Sequence, residues 1–355
     1  MRRNHFSCFM LCFLLITGCV DKEIVDDVSF KAASGYDYVN EKEVRGTFLV
    51  HEFLPDKSVK NITFSAVSSG IFEINKEIQY QVADPIVRGS LEAILFGNDL
   101  AKKGIKDFLD SFERDARIGA KLNLGVTEGE AKDVIEGEYG TRGNAVYLDR
   151  MFEHNMEHQD LPQSNLKIFL TDYYQKGKDG YLPLLKKINK KKVEINGLCL
   201  FKDDKVVDEL SAQKLFFFKL MTDQYSEGNL KIKVDDKIAT VENISSKYKM
   251  KLTRRNPYKI DLNLKLKGEI TEYTGKKLTR KTKDNIEKTM EKRINKECSK
   301  LISRFQEKNI DPIGFGAFAK SRTRNFDFSK WEDEYQHLTV DVNTEVNLVE
   351  EGVIE

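Results

Sequence analysis

The sequence predicts an α+β fold of three consecutive mixed α/β domains, the C-terminal one an antiparallel sheet covered by a long helix. In the first part of the 355 residues, short strand-like runs alternate with amphipathic helical stretches, the order of an α/β or α+β layer. Further on, two unusually long runs of alternating apolar and polar residues follow each other. This pattern is typical of an antiparallel meander with one solvent-exposed face. A segment of about twenty residues comes next, with apolar residues at helical spacing. The helix that it predicts is long enough to cover a sheet.

The predicted domain division has four segments, because a chain of this length holds two or three domains of roughly 100–200 residues. Residues 1–18 form a lipoprotein signal peptide and residues 19–136 an N-terminal α/β domain. Residues 137–192 form a mostly helical middle domain that ends in a basic linker. Residues 193–355 form a C-terminal α+β domain.

The N-terminus has the plan of a secretory signal peptide, with Arg2 and Arg3 before an apolar run over residues 6–16. The run is too short to span a bilayer, which takes roughly 20 apolar residues. Thr17 and Gly18 are small, as a signal peptidase requires, and the segment with Cys19 resembles a bacterial lipobox. We therefore expect cleavage before Cys19 and a diacylglycerol thioether on it, with two acyl chains for stable anchoring. The alternative is an ordinary signal peptide with an incidental cysteine.

The charge balance argues against a general nucleic-acid binder, which would carry a basic excess. The chain has 58 Lys and Arg against 57 Asp and Glu, and removing Arg2 and Arg3 with the signal leaves one net negative charge. The chain has 32% charged and 40% hydrophobic residues. This composition indicates that the part after the signal peptide is globular and exposed to water.

Two cysteines remain once Cys8 and Cys12 leave with the signal and Cys19 carries lipid. Cys199 and Cys298 could form a disulfide in an exported protein. Each also lies in an apolar pattern, where a buried free thiol serves as a small hydrophobe. We favour free thiols.

The N-terminal domain is predicted to begin with strands over residues 25–32 and 44–53, separated by a turn at Gly35-Tyr36-Asp37. Further strands are expected over residues 62–69, 91–97 and 120–126, and residues 74–82 fit either a helix or a strand. One helix capped by Asn98 or Asp99 should run to Ala116, and another should open at residues 128–131.

The middle segment contains two helical patterns, over residues 148–156 and 166–173. Gly177 to Gly180 and Pro183 then end the helical pattern. The basic run from Lys186 to Lys192 is interpreted as a linker with a solvated surface. Contact with anionic lipid headgroups is the alternative for this run.

The C-terminal segment opens with a hairpin over residues 193–210, followed by a short helix capped by Ser211. Strands are predicted over residues 230–234, 239–252 and 258–273. Asp284 and Glu287 resemble a capping box at the start of the longest helix. After the loop from Asp311 to Gly316, the sequence predicts a short helix around Trp331 and a last strand over residues 338–348.

No motif in the chain indicates catalysis, a cofactor or a metal. Gly314-Phe315-Gly316 is half of a dinucleotide fingerprint, but it follows a helix where the motif needs a strand. His154 and His158 stand four apart and could share a helix face. A metal site needs three or four ligands, so we expect a solvated helix face there.

Scattered motifs along almost the whole mature length resemble the Ger(x)C family, the lipoprotein C subunits of nutrient germinant receptors in endospore-forming bacteria. The residues that carry the resemblance are Cys19 with Asp21, Gly35-Tyr36-Asp37, Phe96 to Ala101 with Gly104, Arg114-Asp115, Leu182-Pro183, Gly197 to Lys205, Asp311, Gly314 to Gly316, Trp331, Val340 to Val342 and Gly352. Three positions depart from the family pattern. Val20 replaces a frequent aromatic residue, Asp208 lies where a glycine is expected, and Trp331 alone remains of a Trp-rich stretch.

The resemblance implies three mixed α/β domains in a row and a non-enzymatic role without cofactors. It also implies a place on the outer face of the spore inner membrane, beside a multi-pass A subunit and a permease-like B subunit, which is the more probable nutrient binder. Two other classes compete with this interpretation. A solute-binding lipoprotein of a transporter would need two similar lobes built on mostly parallel sheets, and a cell-wall enzyme would need a cleft with perturbed acids.

Overall fold

The structure is a computed structural model that describes residues 28–53, 59–87, 91–224, 227–275 and 277–349. These residues form two β-sheets with helices packed on them, so the predicted α+β class is confirmed. The strands of the first sheet are β1 (Ser29–Asn40), β2 (Glu43–Phe53), β3 (Val59–Ser68), β4 (Ile86–Val87), β5 (Ala93–Gly97), β6 (Asn123–Thr127), β7 (Tyr181–Asn189), β8 (Lys192–Lys202) and β9 (Lys205–Ser211). Those of the second are β10 (Gly228–Val234), β11 (Lys237–Arg255), β12 (Tyr258–Tyr273) and β13 (Thr339–Val349).

The helices connect and cover these strands. They are α1 (Ile71–Gln79), α2 (Asn98–Lys103), α3 (Lys106–Arg114), α4 (Ala131–Ile135), α5 (Asn144–His158), α6 (Leu166–Tyr174), α7 (Leu215–Thr222), α8 (Arg280–Glu307), α9 (Phe315–Arg322) and α10 (Phe328–Gln336). The sequence of residues 74–82 fits either a helix or a strand, and in the structure most of these residues lie in helix α1.

The first sheet has the order β3-β2-β1-β5-β6-β7-β8-β9, with β4 paired to the start of β1. Strands β1, β5, β6 and β7 run parallel, and antiparallel hairpins extend the sheet on both sides. Parallel neighbours require crossover connections. The segment from β2 to β4, with α1, connects β1 to β5, and α2 to α6 supply the crossovers from β5 to β6 and from β6 to β7. The sheet therefore has helices on both faces and a buried parallel centre.

The turn expected at Gly35-Tyr36-Asp37 is wrong, because β1 runs straight through it. A side chain at Gly35 would place its Cβ 3.0 Å from Ile135 Cγ1 and 3.1 Å from Ala131 Cβ. The glycine thus allows α4 to lie directly on the strand. Asp37 then accepts hydrogen bonds from the backbone N–H groups of Ala131 (2.5 Å) and Lys132 (2.9 Å), and so satisfies the start of α4 from a distant strand.

The single helix expected from Asn98 to Ala116 is instead two helices, α2 and α3. Gly104 between them has φ +132°, outside the helical region. The next residue, Ile105, donates its N–H to the Asp204 carbonyl of the β8–β9 turn at 3.0 Å. This contact with the hairpin stabilises the break.

The basic linker expected at Lys186 to Lys192 is also wrong, because these residues form the end of β7, a turn and the start of β8. Lys186 pairs with Glu194 and Lys187 with Val193 across the hairpin. The first sheet thus runs continuously past residues 136/137 and 192/193, where the sequence places domain boundaries. The domain division itself stays a prediction.

The second sheet has the order β10-β11-β12-β13 and is antiparallel except at its last pair, since β13 runs parallel to β12. The three helices between β12 and β13 provide the crossover that a parallel pair needs. The predicted long helix is present as α8, but it begins at Arg280 with Thr279 as its N-cap, so the capping box at Asp284 is wrong.

Two glutamates of α8 instead close the free edge of β13. Glu287 Oε1 accepts the Leu348 N–H at 2.9 Å, and Glu291 Oε1 accepts the Val346 N–H at 3.1 Å. One turn further along, the Thr344 hydroxyl donates to Asn295 Oδ1 at 2.6 Å. The side chains four residues apart lie on one helix face, and that face follows the strand.

The two sheets share one apolar core, in which helix α7 is central. All seven residues from Leu215 to Met221 are buried, as expected of a helix enclosed by protein on every side. Their cluster includes Leu198 of the first sheet, Leu262 of the second and Phe305 of α8. A second cluster fills the opposite face of the first sheet under α1, α2 and α3.

We predict that Asp37→Ala lowers the free energy of unfolding by about 1–2 kcal/mol, the usual cost of losing a helix cap. The variant leaves two N–H groups at the start of α4 without acceptors. Chemical denaturation measures the change. Asp107→Ala, at an exposed aspartate in the first turn of α3, is the control and should change little. Equal stability of Asp37→Ala and the parent would show that water replaces the cap.

Candidate functional site at the junction of the two sheets

The loop between α8 and α9 is organised by the buried carboxylate of Asp311. Its Oδ1 accepts the N–H groups of Gly314 (2.8 Å) and Phe315 (3.0 Å), and its Oδ2 accepts that of Gly316 (2.7 Å). Gly314 has φ +84°, the left-handed region that favours glycine. Asp311 and the glycines of this loop are among the residues that carry the family resemblance, and the structure shows that the aspartate holds the loop in place.

Asp311 also joins the second sheet to the first through Asp179, which follows α6. The Asp311 N–H donates to Asp179 Oδ2 at 2.6 Å, and the Asp179 N–H donates to the Asp311 carbonyl at 3.0 Å. Lys202 of β8 lies 3.5 Å from Asp179 Oδ2. We call Asp179, Lys202 and Asp311 the junction cluster.

Close backbone packing supports the junction cluster. Ala317 donates its N–H to the Gly177 carbonyl at 2.8 Å. A Cβ added at Gly316 would lie 2.5 Å from Trp331 Nε1 and 2.8 Å from Gly177 Cα. Only glycines at these two positions allow the loops to meet.

The junction cluster lies in a cleft of about 800 Å³ between the two halves of the chain. Charged and aromatic side chains line the cleft, among them Asp172, Lys178, Tyr173 and Trp331. Lys178 Nζ lies 2.9 Å from Asp172 Oδ1. The volume suits a small ligand, but the two Asp311 oxygens are occupied by backbone N–H groups, so the cluster is built to hold loops together.

Burial dominates the electrostatics of the cluster. Desolvation raises the pKa of Asp311 to about 7, and the negative charge of Asp179 adds to the increase, while the three N–H donors oppose it. Burial likewise raises the pKa of Asp179, and Lys202 acts in the opposite direction. Burial raises the pKa of Asp172 too, against the effect of Lys178.

An ion pair with β9 also joins the two halves. Arg304 of α8 donates to both oxygens of Asp208 at 2.7 Å and to the Glu209 carbonyl at 2.9 Å. Such a bidentate pair is directional as well as charged. The Asp208 side chain, near which the family resemblance led us to expect a glycine, is thus used for this contact.

The other candidate residues lie apart from the cleft. Cys19 lies outside the described residues. His154 and His158 lie on α5 with ring centroids 5.5 Å apart, and His158 is 3.8 Å from both Glu157 and Glu227. Among the described residues there is no group of three or more His, Cys, Asp or Glu that could hold a metal ion.

Cys199 and Cys298 are free and buried, as favoured from the sequence. They belong to the two different apolar clusters, one on each face of the first sheet. Burial raises the pKa of both thiols far above the ordinary value. Neither is set up as a nucleophile, which requires a stabilised thiolate.

We predict that Gly316→Val lowers the free energy of unfolding by about 1–3 kcal/mol, because the added side chain meets Trp331 and the Gly177 backbone. The shift of the denaturation midpoint measures it. Gly119→Val is the matched control, since a Cβ there meets nothing within 4 Å. An unchanged midpoint for Gly316→Val would show that the loops can separate at no cost.

We also predict a pH dependence for the junction cluster, measured as the free energy of unfolding of the wild type minus that of Asp311→Asn. The folded pKa of about 7 lies above the ordinary value of 3.8, so the folded state binds the extra proton. The stability from protonated Asp311 is therefore complete below about pH 4 and is lost as the pH rises through 7. The difference should fall over this range by at most about 1.4 kcal/mol per pH unit. A difference that rises with pH would show that the three N–H donors lower the pKa of Asp311 by more than burial raises it.

No helix of the described part of the chain is long and apolar enough to cross a membrane. Residues 21–187 match the family "Spore germination protein N-terminal domain", and residues 196–352 match the family "Spore germination B3/ GerAC like, C-terminal". The two matches meet in the β7–β8 hairpin.

Individual relatives agree with these matches. The spore germination protein GerQC of Bacillus cereus is 30% identical over 355 residues, covering 98% of each chain. The putative spore germination protein YfkR of Bacillus subtilis (strain 168) is 21% identical over 393 residues, covering 100% of this chain and 98% of the relative. The crystal structure of the GerBC protein superposes with a TM-score of 0.62 at 18% identity, over 89% of this chain and 96% of that one. The chain therefore belongs to the Ger(x)C family of spore germination proteins.

Proposed function

We propose that this chain is the lipid-anchored C subunit of a spore nutrient germinant receptor and that it acts without catalysis. The observation that carries the proposal is the match to two spore germination families over residues 21–187 and 196–352. The junction cluster agrees with it, because its buried carboxylate is bonded to backbone N–H groups and is not exposed to a substrate.

The proposed anchor is a diacylglycerol on Cys19, with the acyl chains in the spore inner membrane and the body on its outer face. β1 begins at Ser29, ten residues after Cys19. An extended chain covers at most about 3.6 Å per residue, so the start of the first sheet lies within about 35 Å of the bilayer surface. The anchor thus fixes one end of the first sheet near the membrane.

The proposed partners are the multi-pass A subunit and the permease-like B subunit of the receptor. Tethering all three in one membrane raises their effective concentration, so even weak surface contacts can hold them together. In this arrangement the C subunit contributes a rigid body beside its membrane partners, and the nutrient binds elsewhere.

A solute-binding lipoprotein of a transporter is the second candidate, and the cleft of about 800 Å³ is the observation in its favour. That role needs two similar lobes that close on a ligand. Here one half is built on a sheet with a parallel centre and the other on a mostly antiparallel sheet. The reciprocal bonds of Asp179 and Asp311 also join the two halves inside the cleft. We therefore prefer the receptor role.

We predict that Cys19→Ala produces a chain that folds normally but carries no lipid. Spores with only this variant should respond to nutrients poorly or not at all, because the body is no longer held beside its partners. They should still germinate with agents that bypass the receptors. Loss of optical density after nutrient addition measures the response, and mass spectrometry shows the lipid state.

Cys12→Ala is the matched control, because Cys12 lies in the segment that we expect to be removed. This variant should behave as the wild type does. If the unlipidated Cys19→Ala chain supported a normal nutrient response, contacts with the partners alone would suffice, and the anchor would not be part of the function.

A further inference from the structure

A second concave surface, separate from the cleft, lies along helix α5. It is a groove of about 430 Å³ formed by α5 and the preceding loop. Tyr147, Met151 and His154 lie on one helix face through their spacing of four and three, and Arg150 lies beside them. Arg142 projects from the loop, and Tyr139 forms part of the lining. We call these residues the α5 groove.

The α5 groove lies beside the end of the first sheet where the chain enters from the proposed anchor. A Cβ at Gly143, the N-cap of α5, would lie 2.6 Å from His51 Nε2, and Asn144 donates its N–H to Asn61 Oδ1 at 3.0 Å. His51 is the strand neighbour of Asn61 on one side and of Phe30 on the other. Phe30 is eleven residues from Cys19, a span of at most about 40 Å. The groove is therefore within reach of the bilayer surface.

The lining of the groove carries two positive charges, one of which, on Arg150, also acts on the neighbouring Asp149. Arg142 and Arg150 are both exposed, and neither forms an ion pair with any residue that the structure describes. None of the described residues that line the groove is a carboxylate. The tip of the β7–β8 hairpin adds exposed lysines next to it, since Glu138 donates its N–H to the Lys190 carbonyl at 2.7 Å.

The apolar part of the groove consists mainly of two tyrosines and a methionine. Tyr139 and Tyr147 stack with ring centroids 5.3 Å apart, and Met151 lies on the same helix face as Tyr147. The hydroxyl of Tyr139 is buried and has no hydrogen-bond partner among the described residues. Tyr139 is fully buried, so the half-buried Tyr147 is the ring that can face a boundary between an apolar layer and water, where tyrosine is favoured.

We propose that the α5 groove binds the headgroup of an anionic phospholipid in the membrane that holds the chain, an inference that rests on the proposed anchoring. Guanidinium groups bind phosphate oxygens with paired hydrogen bonds, which suits Arg142 and Arg150. Tyr147 and Met151 contact the glycerol and first acyl carbons. The contact orients the body on the bilayer, because it adds a second point of attachment to the proposed anchor.

The test uses the full acylated protein reconstituted in vesicles of phosphatidylcholine alone or mixed with phosphatidylglycerol. Flotation measures anchoring. Contact of the groove is measured with Tyr147→Trp, whose added indole is quenched by lipids brominated on their acyl chains. The natural Trp331 is the only other tryptophan and is buried, so the parent protein supplies the background. Phe72→Trp, at an exposed side chain of α1, reports contact elsewhere on the body.

We expect quenching in Tyr147→Trp to be about twofold or more stronger with phosphatidylglycerol, since each base near an anionic surface adds attraction. Adding R142Q and R150Q should return it to the phosphatidylcholine level. Adding K249Q and K251Q, which removes the same charge from exposed positions on β11, should leave it high. Phe72→Trp should show no preference for phosphatidylglycerol.

Equal quenching in both vesicle types, or quenching that persists with R142Q and R150Q, would overturn the lipid site. If these substitutions impaired the nutrient response without changing the quenching, the groove would bind an acidic partner protein, which also overturns it. A protein that fails to float with phosphatidylcholine vesicles would overturn the anchoring. The groove could then still be tested by itself. The unanchored protein should bind phosphatidylglycerol vesicles, and R142Q with R150Q should abolish this binding; no binding, or binding that persists in this variant, would overturn the lipid site.

Discussion

The arrangement of the two sheets depends on the reciprocal hydrogen bonds between Asp179 and Asp311. Each residue donates its N–H to the other, and the Asp311 carboxylate at the same time holds the three N–H groups that start α9. Burying a carboxylate is costly unless its oxygens are hydrogen-bonded, so this loop can exist only in a narrow set of conformations. Because the same residue organises a loop of one half and contacts the other, the two halves cannot shift without breaking both.

The shared apolar core also prevents the two halves from shifting relative to each other, and it does so over a larger area. Helix α7 is buried on all sides and packs against strands of both sheets and against Phe305 of α8. Its one charged side chain, Lys219, is satisfied inside the protein by donating to the Met156 and Gln159 carbonyls. A helix of this kind has no stable exposed state, since removing either sheet would leave a large apolar surface in water. The two sheets and their helices should therefore unfold together, although the chain matches two separate family domains. Arg304 with Asp208 adds a directional contact across the same boundary.

Much of the fold was predictable from the sequence, because most strands and helices bury one periodic face. The long strands β11 and β12, the hairpin β8–β9 and the stripe of α8 are of this kind. The errors occur where a distant residue decides the local structure. Gly35 suggests a turn, but it makes room for α4, and the lysines from 186 to 192 suggest a linker but close a hairpin.

The candidate site was predictable only in part, for the same reason. Asp311 and its glycines form a local pattern that indicates a tight loop, and the close approach at Gly316 follows from it. Asp179 is 132 residues away from its partner Asp311 and stands in no pattern that would single it out. Lys202 lies in the motif from Gly197 to Lys205, but the motif does not indicate its contact with Asp179. The parallel pairing of β13 depends on a crossover through three helices, which alternation of side chains cannot reveal.

The contacts between α8 and β13 have a consequence for crowded membranes. An edge strand with free N–H groups is a template for a strand from another molecule. On β13 the N–H groups of Val346 and Leu348 are already bonded to Glu291 and Glu287, so a neighbouring chain finds no donors at these positions. With the anchoring proposed above, many copies on one membrane can stand side by side without joining their second sheets into a fibre through this edge.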